Sequence, residues 1–236
     1  RRRARQGAPT VALVGYTNAG KSSLLAALVG DSVEALDGDD EDNRFSVDDK
    51  VFATLDPLTR RVEVADQTAL VTDTVGFVSK LPAQVVAAFR ATLEEVSNAA
   101  VIVHVVDASA PRHIIRARCQ VVDEELDALG CRGTPKLVFY NKLDAMDDSR
   151  SLREKAAVSK HVAVGSAASG DLGDLREQLA GVLADALLDV RVTLPYDDAS
   201  YGGVRDEILN RGRVFAEKHG DAATDLVAAV PWDLAG

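Results

Sequence analysis

Residues Gly15 to Ser22 read G-Y-T-N-A-G-K-S, and they lie between an apolar run, Thr10–Val14, and the helical apolar spacing of Leu24, Leu25, Leu28 and Val29. A G-x-x-x-x-G-K-S loop between a strand and a helix leaves few folds open. Its glycines let backbone N–H groups close around phosphate oxygens, and the following helix points its positive end at the anion. Lys21 would reach the outer phosphates, and Ser22 offers a hydroxyl to Mg²⁺. Gly15, Tyr16, Thr17, Asn18, Ala19, Gly20 and Ser23 complete the expected lining. The pattern implies a bound nucleoside triphosphate.

The base is indicated downstream. Asn141, Lys142, Leu143 and Asp144 form N-K-x-D after an apolar stretch, 136–140. An Asp carboxylate accepts two hydrogen bonds from the ring N–H and the exocyclic amine of guanine. Adenine has neither there and would leave a buried charge unpaired, the mismatch a site rejects most strongly. Asn141 can tie the loop to the purine edge, and the Lys142 stem can lie along the ring. Ser166, Ala167 and Ala168, after a strand at 161–165, fit a loop whose N–H contacts the base carbonyl.

Asp73, Thr74, Val75 and Gly76 have the D-x-x-G form at a strand end. Asp73 would hold Mg²⁺ through water, and the Gly76 N–H would bond the terminal phosphate. Between the phosphate loop and Asp73 lies F-A-T-L-D-P, formed by Phe52, Ala53, Thr54, Leu55, Asp56 and Pro57. Thr54 is the expected switch threonine, with its hydroxyl on the metal and its carbonyl near the attacking water. Metal ligation is therefore expected from Ser22, Thr54 and Asp73, and catalysis from Lys21, Thr54 and Gly76.

The strings G-Y-T-N-A-G-K-S, F-A-T-L-D-P and D-T-V-G-F resemble the HflX family of ribosome-associated GTPases. So do L-P-A-Q-V-V-A-A-F-R-A-T-L from Leu81 and H-V-V-D-A-S from His104. A weaker match continues through L-P-Y-D-D at Leu194 and G-R-V at Gly212. The resemblance implies Mg²⁺-dependent hydrolysis of GTP to GDP, and association with the large ribosomal subunit to split or rescue stalled ribosomes. Two other readings stand beside it: a nucleotide-gated ribosome-binding module with little turnover, and a ribosome-assembly factor of an organelle.

The chain also departs from that family. It opens at Arg1 without Met and resembles only the end of the family's linker, the GTPase domain and the small C-terminal domain, so it reads as a fragment lacking the N-terminal domain. Residues 31–49 hold nine acidic residues and one Arg, where like charges repel and cannot bury; a solvated loop insertion and a regulatory segment are both compatible. Phe77 comes directly after D-x-x-G where many small GTPases place a water-orienting Gln, so slow intrinsic hydrolysis is expected. Asn18 resembles GTPases that use K⁺ in place of an arginine finger, and tolerance of a tight turn explains it equally.

The net charge of −10 argues against nonspecific nucleic-acid binding by the GTPase body, which needs a basic face. The run Arg1–Arg2–Arg3 with Arg5 suits an RNA contact or the end of a linker helix alike. No apolar stretch nears the roughly 20 residues that span a bilayer, and the basic start lacks a cleavage site before the phosphate loop. Cys119 and Cys131 form no metal pattern and suit a reducing compartment, bacterial cytoplasm or alternatively an organelle matrix or stroma. A monomer is expected.

Apolar runs alternating with helical patterns imply an α/β fold: a P-loop GTPase domain with a mostly parallel sheet and helices on both faces, followed by a small α+β C-terminal domain. Strands are expected at 10–14, 61–64, 69–72, 101–107, 136–140 and 161–165, and helices at 21–28, 81–96, 114–129, 149–156 and 172–188. Every nucleotide motif then falls at the carboxyl end of a strand. The expected division is a basic linker end at 1–8, the GTPase domain at 9–188 and a β-α-β-β module at 189–236. In that module strands are expected at 190–194, 213–218 and 226–230 around a helix at 199–210. Tyr196, Tyr201 and Trp232 suit partner contacts or, as aromatics in so small a module more often do, its core, where they are expected; His104 is expected in the core of the GTPase domain.

Overall fold

In a computed structural model, residues 8–30, 58–65, 67–74, 76 and 96–231 are described. The first strand, β1 (Thr10–Val14), lies inside a six-stranded sheet and leads through the phosphate loop into α1 (Lys21–Gly30). An antiparallel hairpin comes next, β2 (Leu58–Val64) with β3 (Gln67–Asp73). After it are β4 (Val101–Asp107), α2 (Arg112–Ala128), β5 (Lys136–Asn141), α3 (Arg150–Ala157), β6 (Val162–Val164) and α4 (Gly173–Ala186). The strand order is β2-β3-β1-β4-β5-β6, parallel throughout except for β2 at the edge.

The central strands read as near-continuous apolar runs because both their faces are covered. Six of the seven residues of β4 are buried. On one face Leu24, Leu25 and Leu28 of α1 and Leu175, Leu179 and Leu183 of α4 pack against Leu13, Val103, Val105 and Phe139. On the other, Val122 and Leu126 of α2 cover Ala12, Val14 and Ile102. Each fully buried leucine contributes roughly 1.5–3 kcal/mol, so this double-sided core holds the strand ends in place. His104 is buried in β4, where burial, helped by Lys136, depresses its pKa to about 4 and keeps the imidazole neutral near pH 7.

A second sheet begins directly at the end of α4, with no intervening loop. It comprises β7 (Leu187–Pro195), β8 (Arg213–His219) and β9 (Ala223–Pro231) in the antiparallel order β7-β9-β8, with α5 (Tyr201–Arg211) between β7 and β8 in sequence. Leu194, Ile208, Leu226, Ala228 and Val230 form its own cluster. Tyr201 packs against that cluster. Tyr196 instead lies at the surface, 42% exposed, with its ring edge-on to Tyr201 at 5.3 Å. The expectation of a core Tyr196 is thereby corrected; Trp232 lies outside the described residues.

Element ends shift for identifiable reasons. The strand expected from 61 starts at Leu58, because Thr59 and Arg60 pair with Thr72 and Val71 in the hairpin. The strand expected from 161 starts at Val162, because His161 adopts a left-handed φ of 64°. The helix expected to reach 188 stops at Ala186, and the strand expected from 190 begins at Leu187, because Leu187 and Leu188 pair with Pro231 and Val230. Of the helix expected at 81–96, only Val96 lies among the described residues, and it is helical there together with Ser97.

Candidate functional site

The phosphate loop, the ends of β3, β4 and β5 and the segment after β6 meet at one rim of the six-stranded sheet. Gly20 takes φ +94°, and a Cβ there would collide with the Asn141 amide nitrogen. Asn18 sits at φ 61°, a left-handed conformation that Asn tolerates better than most residues. The loop closes with Ala19 N–H donating to the Tyr16 carbonyl at 3.2 Å. Arg118 of α2 lies over the Tyr16 ring, 5.0 Å from its centroid.

Lys21, at the first turn of α1, is only 7% exposed, and its ammonium donates to the Gly15 carbonyl at 3.3 Å. Burial lowers its pKa to about 8, against the opposing pull of Asp73. A buried ammonium held by one weak neutral contact is electrostatically suited to an incoming anion. Gly76 approaches it closely: a Cβ on Gly76 would lie 3.1 Å from Lys21 Nζ and 2.8 Å from Thr17 Cγ2. The lack of a side chain there lets the backbone pass close to Thr17 and the ammonium.

Beside Lys21, Ser22 Oγ donates to Asp73 Oδ2 at 2.6 Å, with Asp73 buried. One hydroxyl and one carboxylate oxygen in contact form a donor set that fits Mg²⁺, which binds few protein oxygens and keeps several waters. Thr74 turns its hydroxyl inward to the Leu13 carbonyl at 2.6 Å, fastening β3 to β1. Ser23, partly buried, comes next in α1. Phe52, Ala53, Thr54, Leu55, Asp56, Val75 and Phe77 lie outside the described residues.

Asn141, at the end of β5, is buried and bridges two loops. Its amide Nδ2 donates to the Ala19 carbonyl at 2.9 Å, and its Oδ1 accepts from Ala167 N–H at 2.9 Å. Lys142, at φ 66°, reaches back so that Nζ donates to the Asn18 carbonyl at 2.7 Å and to Asp107 Oδ2 at 2.9 Å. Leu143 anchors the turn by burying with Ala108, Ala156 and Val164. Ser166 Oγ donates to Asp144 Oδ1, with Ser169 N–H on the same hydroxyl at 3.3 Å. Ala168 stands exposed at the outer edge.

Sequence reasoning passed over Asp107. Burial pushes its carboxyl upward, but hydrogen bonds from Ser109 and Lys142 outweigh that and leave it below the ordinary carboxylate range. The available signal was an acidic residue closing an otherwise apolar strand. Its partner Lys142 could not be read from it, because sheet register brings Asp107 opposite Asn141.

The sequence model of the family described as "50S ribosome-binding GTPase" matches residues 10–142, more than half the chain. GTPase HflX of Gluconacetobacter diazotrophicus is 36% identical over 98% of this chain and 48% of its own length. The chain belongs to the 50S ribosome-binding GTPases, within the HflX family. GTPase HflX of Escherichia coli is 42% identical over 59% of this chain and 30% of its own. HflX relatives matched nearly end to end are thus about twice as long as this chain. Among solved structures, a GTP-binding protein from Sulfolobus solfataricus in complex with GDP is similar with a TM-score of 0.56 and 25% identity. That match covers 75% of this chain and 53% of the other.

Proposed function

We propose that this HflX chain binds GTP with Mg²⁺ and hydrolyses it to GDP and phosphate. The observation that carries the reading is the Asn141 side chain, which joins the phosphate loop at Ala19 to the loop at Ala167. The two ends of one ligand are thereby set at a fixed separation. Lys21 neutralises charge between the outer phosphates, and the Gly76 N–H faces the terminal one. Ser22, Asp73 and Thr54 would hold the metal, which would supply charge neutralisation at the phosphate oxygens. Asp144, oriented by Ser166, accepts from the guanine N–H and amine, while the Lys142 stem covers the ring. Asn18 would face K⁺ where that ion serves in place of an arginine; equal rates in K⁺ and Na⁺ buffers would remove that role.

Calorimetry with GDP, a slowly hydrolysed GTP analogue and ATP tests the reading. Guanine nucleotides bind in the expected result, and no heat from them overturns it. Asp144→Asn should shift preference toward xanthine nucleotides by about tenfold or more, since xanthine presents a carbonyl where guanine presents an amine; unchanged selectivity would remove Asp144 from that role.

The partner proposed for the nucleotide-controlled state is the large ribosomal subunit, with splitting or rescue of stalled ribosomes as the outcome. The support is the family description and the HflX likeness. Phe77 favours a second reading, nucleotide-gated binding with little turnover, since an apolar ring cannot orient water. Phosphate release with and without large subunits separates the two: stimulation supports the first, and a flat trace beside tight GTP binding supports the second.

A further inference from the structure

One arginine on α2 stands where its helix calls for an apolar side chain. The stripe facing the sheet runs through Ile115, Cys119, Val122 and Leu126, and the last two are buried on it. Arg118 falls on the same stripe, three residues after Ile115 and four before Val122, and is half-buried there. A cation on a packed face loses hydration and needs a compensating partner. Among the described residues Arg118 has no carboxylate within ion-pair distance. What it meets is the ring of Tyr16, whose centroid lies 5.0 Å from the guanidinium carbon. The two adjoin a void of about 10 Å³ that His104, Ile115 and Cys119 also line, no roomier than a single water needs. Little solvent can enter there to screen the contact, which favours a cation stacked on an aromatic face.

Tyr16 begins the turn that shapes the phosphate loop. Its carbonyl accepts from Ala19 N–H at 3.2 Å, which closes the turn carrying Thr17 and Asn18. Thr17 in turn lies against Gly76, where a Cβ would come within 2.9 Å of the Thr17 Cα. The far side of the turn is tied to the guanine motif, with Asn141 on the Ala19 carbonyl and Lys142 on the Asn18 carbonyl. The turn is therefore gripped at both ends, by β5 residues on one side and by α2 through Tyr16 on the other. Without the second grip, Tyr16 and Thr17 could swing about the first.

We propose that Arg118 is a positioning residue for the phosphate end of the site: stacked on Tyr16, it keeps the Tyr16–Ala19 turn in its phosphate-binding shape before the nucleotide arrives. The proposal rests on the GTP-binding reading above. A loop ordered in advance loses less conformational freedom on binding, which strengthens affinity. That gain is the same for GDP, for GTP and for GTP at the point of reaction. Arg118 therefore governs how tightly the nucleotide is held and leaves the chemical step unchanged.

Calorimetry of the whole chain with GDP and a slowly hydrolysed GTP analogue tests this. Arg118→Leu removes the cation and keeps an apolar body on the stripe. The nucleotide-free variant should melt no lower than the parent, while both nucleotides bind about three- to tenfold more weakly. Arg118→Lys keeps a cation of poorer stacking shape and should recover part of that loss. Tyr16→Leu should weaken binding to a similar extent, and combining it with Arg118→Leu should add little, since both remove one contact. In a Tyr16→Phe background, which retains the ring face, Arg118→Leu should again weaken binding about three- to tenfold. A parent chain that binds neither nucleotide would overturn the GTP-binding reading itself. With a parent that binds, three results would each overturn the role of Arg118 alone: Arg118→Leu binding as tightly as the parent, losses that add in full in the double variant, or Arg118→Lys no better than Arg118→Leu.

Discussion

The two ends of the candidate nucleotide site are held in different ways. At the base end, Asn141, Lys142 and Ser166 spend their polar atoms on neighbouring loops, so recognition geometry is tied down by protein hydrogen bonds. At the phosphate end, Lys21 is buried with one 3.3 Å contact to a carbonyl, and its pKa falls to about 8. On the proposed reading, the base end is preorganised for selectivity. The phosphate end carries an electrostatic cost that an anion relieves, which favours affinity.

The sharpest break in this contrast is Lys21→Met. It should abolish measurable GTP binding in calorimetry and yet raise the thermal stability of the nucleotide-free protein at pH 7. The pKa drop from 10.5 to about 8 corresponds to roughly 3 kcal/mol of destabilisation, present below the folded value and lost as pH rises toward the unfolded one. A Lys21→Met protein that melts lower than the parent would show that Lys21 is not under tension.

Asn141→Ala should fail in the opposite manner. It strips both ties at once and leaves the Ala19 carbonyl and Ala167 N–H without that partner, so stability should fall by about 2–4 kcal/mol and GDP affinity with it. Chemical denaturation and calorimetry would read both. A stable variant that binds normally would mean the two loops are positioned independently.

A smaller effect is expected from pH. Because bound phosphate favours the ammonium, Lys21 should have a higher pKa in the complex than in the free chain. GTP affinity should then be flat below pH 8 and fall above it, by up to about tenfold per unit. Affinity unchanged between pH 8 and 9 would contradict the assignment. The smallest change is expected for Asp107→Asn, which keeps shape but removes the charge facing Lys142: about 1 kcal/mol of affinity, seen mainly as faster GDP release in stopped flow. An unchanged release rate would limit Asp107 to a local role beside Ser109.

Much of the fold, and which motif residues it brings to one rim, was legible in the sequence alone, for physical reasons. Lys21, Ser22, Asp73 and Asn141 belong to short motifs whose spacing is dictated by a loop leaving a strand, so local sequence carries their placement. The parallel sheet was legible because β1, β4 and β5 are apolar runs separated by helical patterns. What stayed hidden depends on distant partners. Lys142 finds Asp107 only through the register of β4 on β5, and Arg118 finds Tyr16 only because α2 packs beside the phosphate loop. Strand ends erred where pairing extended a strand, as at Leu58 and Leu187, or where a left-handed residue cut one short, as at His161.

Between Ala186 and Leu187 the backbone passes from helix to strand in a single step. A connector would let one element swivel without dragging the next, and this junction supplies no such slack. The helix that ends there starts a few residues after Ala168 and runs about 21 Å. A change in the tilt of that helix near Ala168 would therefore be expected to pass straight into the direction of β7, with no loop between them to absorb it.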